Sequence, residues 1–374
     1  MSVSVVRRCA RFALVSLAFL LTACAPIRSE QAASPPASGA DTAIVVTDAL
    51  GRTVRLAEPP QRIVLAGRAT IMVADAVYTF PGVGARIVGM SDTSQGDVSF
   101  IELLDPTFGD KLVFPTSDVT AEEIAATQPD LVIAKRVMAS ALQTPLEQLG
   151  IPTLFVDLET PEQYSRDLGL LGQVLGQTAR ADELVARYEN EVAAVAQQLG
   201  ALDDAEKPRT LLLYYSDRGG EVAFNVAPAS WMQTRLVEMG GGTPVWTDVA
   251  DSGGWTVVNL EQIAAWDPDV IVIVHYRGDS SEIAASLVEN ATWQQLRAVQ
   301  EGRIYGFPAD FYSWDQPDVR WTLGLRWLAN TLHPDRMGGF DVVAEMQRFY
   351  ADLYGLEAAT VETTILSALQ GSVE

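Results

Sequence analysis

The chain has 374 residues, with 48 acidic against 26 basic side chains and a formal net charge of -22. A surface of that sign repels nucleic acid and anionic membrane surfaces, so no nucleic-acid partner is expected. Two cysteines and two histidines exclude a disulfide framework and a metal centre rich in Cys or His.

At the N-terminus, Arg7, Arg8 and Arg11 precede a run of ten apolar or small residues over 12–21, the charged and hydrophobic regions of an export signal. Ten residues are too few to cross an apolar core roughly 30 Å thick. The run closes on Leu21-Thr22-Ala23-Cys24, which resembles a bacterial lipobox. Residues 1–23 are therefore expected to be cleaved as a lipoprotein signal and Cys24 acylated, holding the mature chain to a membrane through an N-terminal lipid. An ordinary secretory signal with an incidental Cys24 is the plainer alternative. Cys9 falls in the discarded part, and losing three arginines takes the formal charge from -22 to -25. Residues 24–42, rich in Ser, Ala and Pro, read as a flexible tether. The expected location is outside the cytoplasmic membrane, facing a periplasm or the exterior.

Roughly 330 residues remain, enough for two domains. Apolar, β-branched runs at 62–65, 85–89, 131–134 and 153–156 read as strands of a first lobe over 43–160. Runs at 210–215, 270–274 and 303–306 read as strands of a second lobe over 204–374. Unbroken apolar runs such as Val270-Ile-Val-Ile-Val274 suit strands covered on both faces, as in parallel α/β sheets. Between the lobes, residues 161–203 carry apolar positions at three and four spacing and predict one long linking helix.

An internal match supports two related lobes. Glu122-Glu-Ile-Ala-Ala-Thr-Gln-Pro-Asp130 aligns without gaps on Glu261-Gln-Ile-Ala-Ala-Trp-Asp-Pro-Asp269, and each copy runs into an apolar strand. Thr120 with Glu123, and Asn259 with Gln262, have capping-box spacing, while Pro129 and Pro268 end the helices.

The opening VTDALGRTVRLAEPPQRIV, the segment ARIVGMSD, the paired E-x-I-A-A-x-x-P-D units, the linking stretch, and the closing LGLRWLANTLHPD with FYADLYG together resemble one family. It is the helical-backbone, class III substrate-binding proteins of ABC importers that take up ferric siderophores, cobalamin and haem. The resemblance implies two Rossmann-like lobes with parallel-rich sheets, a ligand cleft between them, and little hinge motion. It also implies a monomer that docks on an ABC permease through an acidic patch on each lobe. The first-lobe glutamate such a patch requires is expected after LVIAKR, where VMASALQTPLEQLG offers only Glu147 near its end; Glu147 and Glu238 are the candidate permease contacts.

Ligands of open α/β sheets sit beyond the carboxyl ends of the strands. There this acidic chain is basic and aromatic. Arg68 follows the first strand, Arg136 follows LVIA, Arg218 follows LLLYY, and His275, Tyr276 and Arg277 follow VIVIV. Guanidinium forks bind carboxylate, catecholate or oxyanion oxygens in pairs of hydrogen bonds. Tyr215, Trp255, Tyr276, Tyr312 and Trp314, with Tyr214 beside them, would form walls. Arg68, Arg136, Arg218 and Arg277 are thus assigned to an anionic small-molecule ligand; for any one of them a surface ion pair is the bland alternative. Asp315 and Pro317 read as the start of the next helix, and this turn resembles that of molybdate- or tungstate-binding members.

No metal ligated by the protein and no cofactor is expected, although the ligand itself can carry Fe3+. His275 and His333 are the only histidines, and His333 reads as the cation that closes a helix before Pro334. Haem through Tyr215 or Tyr276 and cobalamin remain alternatives. G-x-S-x-G, Walker A, H-E-x-x-H and strand-linked G-x-G-x-x-G motifs are missing, so an enzyme is not expected. The rival class is a secreted lipoprotein hydrolase built on His275 with Ser216 or Asp217.

Overall fold

The computed structural model describes residues 43–93, 99–114, 118–249 and 253–373. The two α/β lobes are present. The first is a sheet of five parallel strands, β3 (Ile63–Ala66), β4 (Ile87–Ser91), β5 (Leu112–Phe114), β6 (Leu131–Lys135) and β7 (Thr153–Val156), in the order β5-β4-β3-β6-β7. Successive side chains of a strand point to opposite faces. Ile63 and Leu65 of β3 therefore join the main core, while Val64 and Ala66 join a second cluster with Ile124, Leu142 and Leu146. Both faces are covered, which explains why β3 and β6 are apolar without alternation.

A hairpin of β1 (Ile44–Thr47) and β2 (Thr53–Leu56) precedes the sheet. Its turn docks on the free edge at β7: Ala49 donates its N–H to the Phe155 carbonyl at 2.9 Å, and Arg52 Nη2 donates to the Thr153 carbonyl at 2.8 Å. An edge strand left bare would invite pairing with another chain.

The second lobe holds a mixed sheet. Strands β8 (Arg209–Ser216), β12 (Val270–Val274) and β13 (Ile304–Gly306) are parallel, whereas β9 (Ala223–Val226) and β11 (Thr256–Val258) extend it antiparallel. Their order is β11-β9-β8-β12-β13, with the two-residue β10 (Thr243–Pro244) beside the start of β8. The hairpin, β5, β9, β10 and β11 were not predicted, because they are short and most have exposed positions that break an apolar run.

The single linking helix is corrected to two, Pro161–Leu175 and Thr178–Leu199. Thr160 caps the first by accepting from Gln163 N at 3.2 Å, with Pro161 in its first turn. Gly176, at φ 72°, then ends that helix in the left-handed conformation, which costs glycine nothing and other residues 1–2 kcal/mol. Periodicity runs through such a break, so the sequence pattern alone reads as continuous. The repeated unit is present in both lobes: Thr120 and Glu123 form the predicted reciprocal capping box, whereas in the second copy the structure gives the forward half, Asn259 Oδ1 accepting from Gln262 N at 2.8 Å. Among the described residues no helix is long and apolar enough to cross a membrane. Cys24 and the lipobox lie outside the described residues.

Candidate functional site

The carboxyl ends of β8 and β12 are in register, Val274 opposite Tyr214. Because neighbours on a strand alternate, Tyr214 and Tyr276 fall on one side and Tyr215 and His275 on the other. The first side is an aromatic wall. Tyr214 lies 4.8 Å from Tyr276 and 5.0 Å from Trp255, Trp255 lies 6.3 Å from Tyr276, and Trp231 meets Trp255 edge-on at 5.7 Å. All four rings are half-buried, so they keep faces free for a ligand.

The wall rests on Asp315. This fully buried carboxylate accepts from Tyr276 Oη at 2.7 Å, Gln233 Nε2 at 3.0 Å and Ser313 Oγ at 2.5 Å. Burial raises its pKa, and the three donors oppose that rise. Burial, then the charge of Asp315, also raises the Tyr276 hydroxyl, so it stays protonated and donates. Asp315 is therefore not the helix N-cap predicted for it. The helix begins later, at Trp321, after Arg320.

On the second side, Tyr215 packs edge-on against His275 at 5.1 Å and against Phe224 at 5.9 Å. Burial lowers the pKa of His275, although Asp217 and Asp279 oppose it, and the imidazole is neutral at pH 7. Among the described residues no hydrogen bond joins Ser216 to His275, the pairing a hydrolytic set would use.

The turn after β13 joins this site to the first lobe. Tyr312 Oη accepts from Phe100 N at 3.3 Å. Arg320, fully buried, pairs with Asp75 of the first-lobe helix Thr70–Tyr78, with Asp310 at 2.7 Å and with Asp318 at 3.6 Å. Its guanidinium lies 4.6 Å from the centre of the Phe100 ring and 4.8 Å from that of Tyr312. Two predicted walls are corrected by this packing. Trp314 has no exposed surface and donates Nε1 to Asp310 at 3.1 Å, and Tyr312 is 1% exposed. Tyr312 packs into the lobe contact and Trp314 into the core of the second lobe, so neither presents a face to a ligand.

The predicted arginines differ in their surroundings. Arg136 is corrected: its fork is occupied by Asp157, at 2.5 and 3.2 Å, and by the Ala49 carbonyl. Arg68 is exposed and lies 3.7 Å from Asp118. Arg277 is exposed and forms no ion pair among the described residues. The backbone of Arg218 opens a short 3-10 turn, Arg218–Gly220; its side chain lies outside the described residues. Lys135, beside Arg136, is buried against Glu159 and Met72. Glu147 accepts from Arg52 at 2.7 Å and Glu238 from Arg235 at 2.7 Å, both at the surface. His333 follows its helix as predicted, with Nε2 3.1 Å from the Gly241 carbonyl. Among the described residues no cluster of His, Cys, Asp and Glu could hold a metal ion.

Sequence reasoning missed Trp231, Gln233, Asp75, Arg320 and the true role of Asp315. Trp231 and Gln233 lie at the start of the helix that follows β9, a strand too short to be read, so no strand end pointed to them. Nothing local marks Asp75 or Arg320, whose pairing joins residues far apart in the chain.

A two-lobed α/β architecture with an aromatic wall at the strand ends beside the lobe contact defines a class III binding-protein fold. The chain belongs to the periplasmic binding protein family, which it matches over residues 63–311. It is 23% identical over 328 residues to the molybdate-binding protein MolA of Haemophilus influenzae, covering 83% of this chain and 90% of that protein. It is 24% identical over 272 residues to the Fe(3+) dicitrate-binding periplasmic protein FecB of Escherichia coli, covering 70% and 83%. A periplasmic solute binding protein from Veillonella parvula superposes with a TM-score of 0.68 at 26% identity, covering 87% of this chain and 97% of that one.

Proposed function

We propose that this protein is the lipid-anchored substrate-binding component of an ABC importer, and that it captures an anionic ferric chelate of the siderophore class for delivery to a permease. Its iron is cargo and not a resident cofactor. The observation that carries this reading is the half-buried wall of Tyr214, Trp231, Trp255 and Tyr276 at the carboxyl ends of β8 and β12. Flat chelate rings stack on such a wall. The exposed Arg277 and Arg68 supply charge for the chelate oxygens, with Arg218 the remaining candidate. The likeness to an Fe(3+) dicitrate-binding protein supports the ligand class, and the likeness to a molybdate-binding protein keeps a small oxyanion as the second reading.

Two of the wall residues are tryptophans, so ligand binding reports on itself. Titrating the purified protein with ferric catecholates, ferric hydroxamates, ferric citrate, haem, cobalamin and molybdate is expected to give saturable quenching by a ferric chelate. Quenching by molybdate alone replaces the ligand class, and silence across the panel removes the reading. Delivery is tested separately: lysine at both Glu147 and Glu238 is expected to lower uptake in cells severalfold at unchanged ligand affinity. Unchanged uptake discards these two as permease contacts.

A further inference from the structure

The last described residues bind back onto the second lobe beside the candidate site. Gln370 and Ala309 exchange two backbone hydrogen bonds, of 2.8 and 3.1 Å. Ser372 N donates to the Gly306 carbonyl at 2.9 Å, and Ser372 Oγ accepts from Gly306 N at 2.9 Å. Trp327 Nε1 closes on the Ser372 carbonyl at 2.6 Å. Between these anchors, Gly371 N donates to Asp279 Oδ1 at 3.1 Å. The same oxygen accepts from Ser281 N at 2.8 Å and Ser281 Oγ at 2.6 Å.

Asp279 closes the loop that carries His275, Tyr276 and Arg277 out of β12 and caps the helix Ser280–Val288. One end of that loop is fixed by the sheet; the other is fixed by Asp279, which shares its oxygen with the C-terminal segment. Gly371 sits at φ 93°, a conformation open to glycine. A Cβ there would lie 2.7 Å from Pro308 Cα and 2.8 Å from the Phe307 carbonyl oxygen. The segment reaches Asp279 only because nothing projects at this position.

We propose that residues 370–372 are a positioning strap for the ligand loop 275–278, acting through Asp279. This rests on the reading of that loop as part of the binding site. A loop held before the ligand arrives saves the ordering cost that binding would otherwise carry for each side chain it immobilises. For two or three side chains, that saving corresponds to an affinity gain of roughly tenfold or more.

The test compares Asp279→Ala, Asp279→Asn and Gly371→Ala with Asp341→Ala, which removes an equivalent cap from the remote helix Val342–Tyr354, where Asp341 Oδ1 accepts from Ala344 N at 3.0 Å. Hydrogen exchange at 275–279 is measured in the free protein, and affinity is measured with ferric citrate and with molybdate. Asp279→Ala and Gly371→Ala are expected to speed exchange in the loop and weaken binding about tenfold. Asp279→Asn keeps the accepting oxygen and Asp341→Ala leaves the strap intact, so both are expected to match the parent. Unchanged loop exchange in Asp279→Ala and Gly371→Ala overturns the strap, as does a loosened loop with unaltered affinity. If the parent binds neither probe while exchange responds as expected, the strap stands and the ligand class is what fails.

Discussion

Replacing Arg320 by methionine is expected to destabilise the protein by about 3–5 kcal/mol, because it takes from three buried carboxylates the cation they share. Asp75, Asp310 and Asp318 all face that guanidinium, and all four side chains are essentially without solvent exposure. With an unfolding entropy of about 2.1 cal/mol/K per residue, ~330 residues convert that loss to a fall in Tm of about 5 °C. A melting curve that matches the parent shows that the cluster is not holding the lobes together.

Asp75→Asn carries the opposite sign. One guanidinium cannot neutralise three carboxylates, and two oxygens of the cluster, Asp75 Oδ1 and Asp318 Oδ2, have no hydrogen-bond partner among the described residues. Burial raises Asp75 to about 6 and also raises Asp318, with Arg320 opposing both rises. A carboxyl whose pKa is higher in the folded state keeps its proton there after the unfolded chain has lost it. Stability from this group is therefore greatest below the unfolded value of 3.8, falls as pH rises from there to about 6, and is flat above. At 1.36 kcal/mol per pKa unit, the fall is on the order of 3 kcal/mol. Asparagine at 75 is expected to flatten this slope and to leave stability at pH 7 equal to or above that of the parent. A slope unchanged between pH 4 and 6 assigns it to other groups.

Tyr276→Ala is expected to weaken ligand binding by one to two orders of magnitude, the effect of truncating a central aromatic anchor, ~2 kcal/mol or more. The ring touches Tyr214 and Trp255, and its hydroxyl is one of three donors to Asp315. Tyr276→Phe separates the two contributions. It keeps the ring but leaves Asp315 with Gln233 and Ser313, so a loss nearer threefold is expected. Affinities read from tryptophan quenching check both; an unaltered alanine variant moves the ligand off this wall.

The strand ends that carry Tyr214, Tyr215, His275 and Tyr276 were legible because buried parallel strands are long apolar runs with sharp ends. The repeated capped helices were legible because their signals lie within four residues. The arginines show where that reasoning stops. Placement after a strand puts Arg136 near the cleft, yet its guanidinium turns to Asp157 and the hairpin turn at Ala49. With 48 acids in the chain, no local pattern says which one a given arginine meets. Trp314 shows the same limit: it lies eight residues beyond the end of β13, and Asp310 draws its indole nitrogen inward. Asp315 was read as a helix cap from local spacing, whereas its partners Tyr276 and Gln233 come from distant parts of the chain.

The most direct test of the central claim is calorimetric titration of the purified protein with a ferric chelate and with the same chelator free of iron, repeated on Tyr276→Ala. The prediction is one-site binding of the ferric form, little affinity for the iron-free chelator, and a loss of ten- to a hundredfold in the variant. Binding of molybdate with no response to any ferric chelate, or ferric binding that ignores Tyr276, would contradict it.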